Sequence, residues 1–445
     1  MYIEDTIVAV ATANGIGSIS IVRLSGSLAY EIALKISKRD SLKPRYATLS
    51  TLYDIDDQII DEALVIYFKN PSSFTGEDIV EFQSHGGVAI SNIILELSIK
   101  YGARLANPGE FSKRAFLNGK IDLTQADAIS KMIEAKSEDA VKLLARQLKG
   151  ELKEFVESIR EDLLFMLAYT EVSIDYAEED LPSDIYEQIR TKLKSIDEKL
   201  TNTLESSKRR EGLLDGFKVA IVGKPNVGKS SLLNKLLNYN RAIVSDIAGT
   251  TRDTIEESVK VGTHIIKIVD TAGIREAQDE IEKIGIEKSK DAIDEADIIV
   301  ALFDGSREFD DEDQAILDML NESSKHKIII VNKSDLEQKL DLSKFQNYIL
   351  MNTKENISNL ISQIETILNQ NSAGDDITLV SKHQVKEVEY ALEHIRSSFA
   401  PLQSGELEFF AHHINSGLES ISNITRPYEH TQMLDVMFGE FCLGK

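Results

Sequence analysis

The sequence predicts a multidomain chain of α/β and α+β class, on three observations. Its 445 residues, at about 150 per domain, make roughly three folding units. Two stretches poor in glycine and proline carry helical apolar spacing, one mid-chain and one at its end. Between them, short and nearly continuous apolar runs alternate with helical patterns, which is how a parallel sheet covered on both faces reads.

Taken in order, residues 1–118 mix strand-like runs, Ser18-Ile-Ser-Ile-Val22 and Ala63-Leu-Val-Ile-Tyr67, with a helical segment around Val88 to Lys100. They read as an α+β domain with no catalytic motif of their own. Residues 119–215 read as helical. From Lys120 to Glu211 there is one glycine, Gly150, and one proline, Pro182, and Ile185, Ile189, Leu193, Ile196, Leu200 and Leu204 recur at three and four. Residues 216–372 carry the apolar runs Val219 to Val222, Ile265 to Val269, Ile298 to Phe303 and Ile328 to Val331. Residues 373–445 return to helical spacing: Val385, Val388, Leu392, Ile395 and Phe399, then, past Pro401 and Gly405, Leu407, Phe410, Ile414, Leu418 and Ile421. Two helical blocks with complementary stripes complete one bundle, which makes 216–372 an insertion in a discontinuous helical domain.

Composition narrows the function. Apolar residues are 42% of the chain, enough for packed cores, and 50 Lys+Arg against 74 Asp+Glu leave a net charge of −24. That acidity argues against coating nucleic acid without a basic partner, because phosphate contacts depend on clustered lysine and arginine. A single cysteine excludes an internal disulfide and a multi-cysteine zinc site, so a reduced, cytoplasmic setting is expected. No run approaches the ~18 apolar residues of a membrane span. Glu4 and Asp5 stand where a signal peptide needs positive charge, and Gly444 and Lys445 spoil a terminal prenylation box. The eight histidines include no HExxH spacing; His412-His413 falls on a helix, and His85 serves either a ligand or a turn.

Gly223-Lys-Pro-Asn-Val-Gly228-Lys229-Ser230 fits GxxxxGK[ST], between an apolar strand, Lys218 to Val222, and an amphipathic helix, Ser231 to Leu237. In such a loop backbone N–H groups surround phosphate oxygens, Lys229 reaches the terminal phosphates and the Ser230 hydroxyl ligates Mg²⁺. Asn332-Lys333-Ser334-Asp335 follows the strand Ile328 to Val331, 103 residues after Lys229. The Asp335 carboxylate accepts from guanine N1–H and the exocyclic amine, an arrangement adenine lacks. Asp270-Thr271-Ala272-Gly273 ends a strand 41 residues past Lys229, placed to hold the magnesium shell through water and to sense a γ-phosphate. Gly249-Thr250-Thr251-Arg252-Asp253 lies between them, where a switch loop offers a threonine hydroxyl to the metal. Four elements in this order predict a GTPase. Ile274 stands where small GTPases carry a catalytic glutamine, so hydrolysis draws on another group, with polar candidates from Arg275 to Glu282.

At these residues the chain resembles the MnmE (TrmE) family of tRNA modification GTPases, within the TrmE-Era-EngA-YihA-Septin-like class. The resemblance also rests on Asp5-Thr-Ile-Val-Ala9, Ile21-Val-Arg-Leu-Ser-Gly26, Ser73-Phe-Thr-Gly-Glu-Asp78, His85-Gly-Gly87, Pro108-Gly-Glu-Phe-Ser112 and Arg114-Ala-Phe-Leu-Asn118. It continues through Asp246-Ile-Ala-Gly-Thr-Thr-Arg-Asp253 and the terminal Phe441-Cys-Leu-Gly-Lys445.

It implies a folate-binding and dimerising domain at 1–118, helical parts at 119–215 and 373–445, and an inserted Ras-like P-loop G domain at 216–372. It further implies a homodimer that acts on tRNA with the FAD protein MnmG (GidA), in a heterotetramer or larger complex. Together they add a carboxymethylaminomethyl or aminomethyl-type group at C5 of the wobble uridine. The one-carbon unit comes from 5-formyl- or 5,10-methylene-tetrahydrofolate, and K⁺-dependent pairing of G domains activates hydrolysis.

By the same resemblance, GTP is bound by Asn226, Val227, Gly228, Lys229, Ser230, Ser231, Ser245, Asp246, Ile247, Ala248, Gly249, Thr250, Thr251, Asp270, Thr271, Ala272, Gly273, Asn332, Lys333, Ser334, Asp335 and Thr353. Mg²⁺ falls to Ser230 and Thr251, and K⁺ to Asn226, Ser245, Ile247 and Thr250. Glu282 orients water, Arg252 and Cys442 join the catalytic set, and Arg23, Glu81, Lys120 and Lys445 contact folate. Two departures stand out: Asn352-Thr353-Lys354 replaces a Ser-Ala-Lys type segment, where the Thr353 N–H is expected to serve the guanine carbonyl, and Ser245 replaces a threonine. The alternatives are an RNA- or ribosome-associated switch GTPase without modifying activity, and a folate module whose GTPase gates a partner.

Overall fold

The computed structural model describes residues 5–13, 15–175, 183–239, 257–269, 292–372, 374 and 376–426. The chain separates into two compact units, residues 1–130 with 148–171 and 411–445, and residues 131–147 with 172–410.

In the first unit, strands β1 (Thr6–Val10), β2 (Ile19–Ser25), β3 (Thr48–Tyr53), β4 (Ile59–Phe68), β5 (Ile79–His85) and β6 (Ala103–Leu105) form one sheet. Its order is β3-β4-β5-β2-β1-β6, and only β1–β6 is parallel. Strand alternation sorts the faces. Val22 and Leu24 of β2, with Val80 and Phe82 of β5, pack under Ile32 and Ile36 of α1 (Ala29–Ser37) and Ile94 and Leu97 of α2 (Val88–Lys100). On the opposite face, Phe111 of α3 (Glu110–Leu117) covers Ile7 and Ala9. Towards the β3 edge that face stays open, with Leu49 and Leu64 registered opposite one another and exposed. The predicted runs at 18–22 and 63–67 are thus parts of β2 and β4.

Helices α4 (Leu123–Glu134) and α6 (Glu151–Asp175) follow, and Leu152, Val156, Ile159, Leu163 and Met166 of α6 are buried at helical spacing. A buried ion network closes the unit: the Arg114 guanidinium meets Asp5 at 2.6 Å, Glu110 at 3.0 Å and Glu77 at 3.1 Å.

In the second unit, β7 (Phe217–Gly223), β8 (Glu257–Val261), β9 (His264–Val269), β10 (Ile298–Asp304), β11 (His326–Asn332) and β12 (Ile349–Leu350) form a sheet of order β12-β11-β10-β7-β9-β8. Only β8–β9 is antiparallel. All of β10 is buried, as its unbroken apolar run requires when helices cover both faces. The flanking helices are α8 (Lys229–Tyr239), α9 (Asp311–Glu322) and α10 (Ser358–Ser372). Asp310 caps α9 in a reciprocal box with Asp313.

The helical part of this unit holds α5 (Glu138–Leu148), α7 (Ser183–Asp215) and α11 (Lys382–Ser404), and α12 (Leu407–Thr425) follows in the chain. At 1.5 Å per residue α7 spans about 50 Å, and Ile189, Leu193, Ile196, Leu200 and Leu204 are buried along it. Pro401 does not end its helix; α11 runs through it to a left-handed Gly405 cap. A proline removes one N–H and crowds the carbonyl four residues before it, and here it does so one turn from the helix end, where few residues remain to be displaced.

Leaving the inserted sheet, the chain returns along residues 376–380 beside the end of α7. Arg210 donates to Asp376 O at 2.7 Å and Thr378 Oγ1 at 2.9 Å, Ser206 Oγ donates to Ile377 O at 2.7 Å, and Leu379 N donates to Ser207 Oγ at 2.8 Å. Exit and re-entry are fastened side by side, so the insertion hangs from one short stretch of α7.

Candidate functional site

The loop from Gly223 to Lys229 leaves the C-terminal end of β7 and opens α8, where ligands collect in parallel sheets. Two glycines are needed on geometric grounds. Gly223 has φ +148° and a Cβ there would stand 2.5 Å from Leu302 O; Gly228 has φ +111° and a Cβ would stand 2.2 Å from Asn332 Nδ2. Asn226 adopts φ +63° at the exposed crest, a left-handed turn that asparagine tolerates better than most residues.

Lys229 turns inward. Its Nζ donates to Gly223 O at 2.5 Å and Lys224 O at 2.9 Å, and burial pushes the ammonium below its usual range. These carbonyls hold the charge until a phosphate can. The neighbouring Lys224 faces away from the cradle: its buried ammonium bonds Asp310, at the cap of α9, and reaches Asp313 at 3.2 Å. Desolvation would lower this lysine, but the two carboxylates outweigh it and raise it.

β11 delivers the second part of the site. The Asn332 side chain, 2% exposed, donates from Nδ2 to Val227 O at 2.6 Å and accepts at Oδ1 from Thr353 N at 2.9 Å. Its amide therefore ties the phosphate loop, the end of β11 and the 352–354 turn together. Lys333 follows at φ +63°, and Asp335 lies exposed in the next turn. The Thr353 N–H, expected to serve the guanine carbonyl, donates to Asn332 Oδ1 here, which places the 352–354 turn against the end of β11. Ser230 and Ser231 sit in the first turn of α8, with Ser230 exposed. A serine hydroxyl at a helix N-terminus suits Mg²⁺, which keeps waters and phosphate oxygens in most of its shell.

In the first unit, Arg23 and Glu81 are registered opposite each other on β2 and β5. Arg23 Nη2 lies 2.8 Å from Glu81 Oε1, and its guanidinium is 5.7 Å from the Phe111 ring centroid. A planar cation paired with a carboxylate over an aromatic ring suits a flat heteroaromatic ligand with an acid tail. The stem of Lys120 lies over Gly76, ahead of β5 in the chain. His85 Nδ1 bonds Asp61 Oδ1 at 2.7 Å, a contact within the sheet.

Ser245, Asp246, Ile247, Ala248, Gly249, Thr250, Thr251, Arg252, Asp270, Thr271, Ala272, Gly273, Glu282, Cys442 and Lys445 lie outside the described residues. Sequence reasoning missed Asp304, which binds Lys333 Nζ at 2.6 Å. Its only signal was an aspartate ending an apolar strand before a glycine.

A family model described as the MnmE helical domain matches residues 123–442, and one described as the GTP-binding protein TrmE N-terminus matches residues 6–120. The tRNA modification GTPase MnmE of Aliarcobacter butzleri is 70% identical over all of both chains. That of Sulfurimonas denitrificans is 59% identical over 99% of this chain and 100% of its own, and that of Wolinella succinogenes 51% identical over 99% and 98%. A solved structure of Era from Aquifex aeolicus aligns with 40% of this chain and 66% of its own at 26% identity, with a TM-score of 0.26. No helix among the described residues is long and apolar enough to cross a membrane.

Proposed function

The chain belongs to the MnmE family of tRNA modification GTPases, and from that premise we propose how its residues serve the reaction. It hydrolyses GTP in the course of tRNA modification. The observation that carries the assignment of the site is the Asn332 side chain, which makes the guanine-reading tetrapeptide and the phosphate loop one body. Asp335 takes the guanine edge. Lys229 gives up the Gly223 and Lys224 carbonyls for the β- and γ-phosphates, so no ammonium has to be desolvated when GTP arrives. Ser230, with Thr251, would hold Mg²⁺, which would neutralise charge on the terminal phosphates.

Asn226, with Ser245, Ile247 and Thr250, would hold a K⁺ ion, which would supply positive charge as the β–γ bond breaks. Glu282 orients water, and Arg252 joins the catalytic set. Arg23 and Glu81 are one wall of a tetrahydrofolate site to which Lys120 and Lys445 contribute from other segments. The folate supplies the one-carbon unit, and Cys442 takes part in that chemistry. The open sheet face around Leu49 and Leu64 suits the dimer contact of a 1–118 domain. The discontinuous helical domain (119–215 and 373–445) then carries the inserted G domain (216–372), whose pairing depends on K⁺. With MnmG, in the cytoplasm, the homodimer adds the aminomethyl-type group at C5 of the wobble uridine.

Mass spectrometry of wobble nucleosides tests this. A strain lacking the protein should lose the modified uridine, and a plasmid carrying the wild-type chain, but not the Asp335→Asn chain, should restore it. Unchanged nucleosides in the deletion strain would remove the proposal and favour a switch GTPase.

A further inference from the structure

Asp304 ends β10 directly opposite Asn332 of β11 in the parallel register. Its side chain is 4% exposed and fully engaged. Oδ1 accepts from Ser306 N at 3.0 Å and Ser306 Oγ at 2.7 Å, while Oδ2 accepts from Lys333 Nζ at 2.6 Å and Arg307 Nε at 3.1 Å. Burial would raise this carboxyl, but the hydrogen bonds from Lys333 and Ser306 outweigh it and hold it below the usual carboxylate range. The turn it anchors is tight against the next strand: Gly305 N donates to Asn332 O at 2.9 Å, and a Cβ on Gly305 would meet that oxygen at the same distance.

Lys333 lies between Asn332, which grips the phosphate loop, and Asp335, the guanine-reading carboxylate. Its backbone at φ +63° is unusual for a long side chain, and such conformations persist where surrounding contacts determine them. With its ammonium tied to a buried carboxylate, the stretch of Lys333 left to meet a ligand is its aliphatic stem, and lysine stems pack on apolar surfaces while their heads are satisfied elsewhere.

We propose that Asp304 is a positioning residue for guanine binding: by holding the Lys333 ammonium it fixes the lysine stem beside Asp335 as the surface on which the purine ring lies. The proposal rests on residues 332–335 reading guanine. It differs from a merely structural role, in which Asp304 would serve only its own turn through Ser306 and Arg307.

A double-mutant cycle on GDP affinity separates the two. Asp304→Asn keeps acceptors for Ser306 and should weaken GDP about tenfold; Lys333→Met should weaken it at least as much. The double variant should bind no worse than Lys333→Met alone, because the carboxylate acts through that lysine. In steady state Asp304→Asn should raise KM for GTP with kcat within about twofold, and Asp304→Glu should recover most of the affinity. Arg307→Gln, which removes the other cation from the same carboxylate, should leave GDP affinity unchanged.

Losses that multiply in the double variant, or an Arg307→Gln chain as weak as Asp304→Asn, overturn the proposal. If Asp304→Asn does not fold, judged by near-ultraviolet circular dichroism without nucleotide, the Asp304→Glu and Arg307→Gln chains decide on the same criteria. A wild-type chain that binds ADP as well as GDP would instead overturn the guanine reading itself, and a normal wild-type preference with a multiplicative cycle would sink Asp304 alone.

Discussion

Asn332 Nδ2 lies 2.6 Å from the carbonyl oxygen of Val227, so the strand that presents the guanine-reading residues holds the phosphate loop by a direct bond. Both partners are buried. Asn332→Ala leaves the Val227 carbonyl and the Thr353 N–H without their partner, at about 1–3 kcal/mol each. Asn332→Asp is the sharper test, since it keeps the acceptor for Thr353 and sets a carboxylate oxygen against the Val227 carbonyl. Calorimetry should find GDP at least tenfold weaker in both, with the aspartate no better than the alanine despite its shape. Near wild-type affinity in the aspartate variant would mean that the Val227 contact does not support the loop.

Without nucleotide, the Lys229 ammonium is a cost to the fold. Its folded-state pKa is pushed by burial below the ordinary 10.5, so between those two values the unfolded chain binds more protons and stability rises with pH. Below the folded-state value the penalty stands in full. The nucleotide-free Lys229→Met chain should therefore melt higher than wild type at pH 7, and the gap should close as the pH approaches 10.5. Saturating GDP should reverse the order, because the wild-type ammonium then has phosphates to neutralise. A nucleotide-free variant that melts lower would show that the Gly223 and Lys224 carbonyls already compensate the charge.

Most of the fold was legible because each domain has its own periodicity. β10 reads as a strand because every residue of it is buried, and α7 because its stripe holds step over more than five turns. In the site, Lys229 and Asn332 were legible as motif letters, but their partners were not. The Asn332–Val227 contact joins residues 105 apart, and the Asp304–Lys333 pair needs two strands in register before either side chain has a neighbour. The bond from the Thr353 N–H to Asn332 was illegible for a related reason: a contact made by another strand cannot be read from the turn that donates it.

The ion network of the first unit sets an acid limit on its stability. Burial would raise the Glu110 carboxyl, yet hydrogen bonds from Arg104, the Asn107 N–H and Arg114 prevail and hold it below the ordinary 4.5. A depressed carboxylate contributes stability that is complete above 4.5 and is lost as the pH falls through the folded-state value. Glu110→Gln leaves the buried Arg114 short of one counter-charge and should cost about 3–5 kcal/mol at pH 7 by urea denaturation. The difference from wild type should hold steady down to about pH 5 and shrink below it. A gap unchanged at pH 3 would assign the loss to packing instead.

Asn226 offers a test of the monovalent ion that separates the backbone from the amide. The residue sits at φ +63°, where an alanine pays about 1–2 kcal/mol for its Cβ and a glycine nothing. Asn226→Ala therefore confounds loop strain with loss of the oxygen, whereas Asn226→Gly removes the oxygen alone. If the amide ligates K⁺, wild-type GTP turnover should rise several-fold when Na⁺ is replaced by K⁺, since a cation fitted to the site stabilises charge as the β–γ bond breaks. The glycine variant should keep GDP affinity within about threefold, because Lys229 and Asn332 are untouched, and should turn over GTP at one slow rate in both salts. Potassium stimulation that survives in Asn226→Gly would move the ion away from this side chain, and equal wild-type rates in the two salts would remove it from the site.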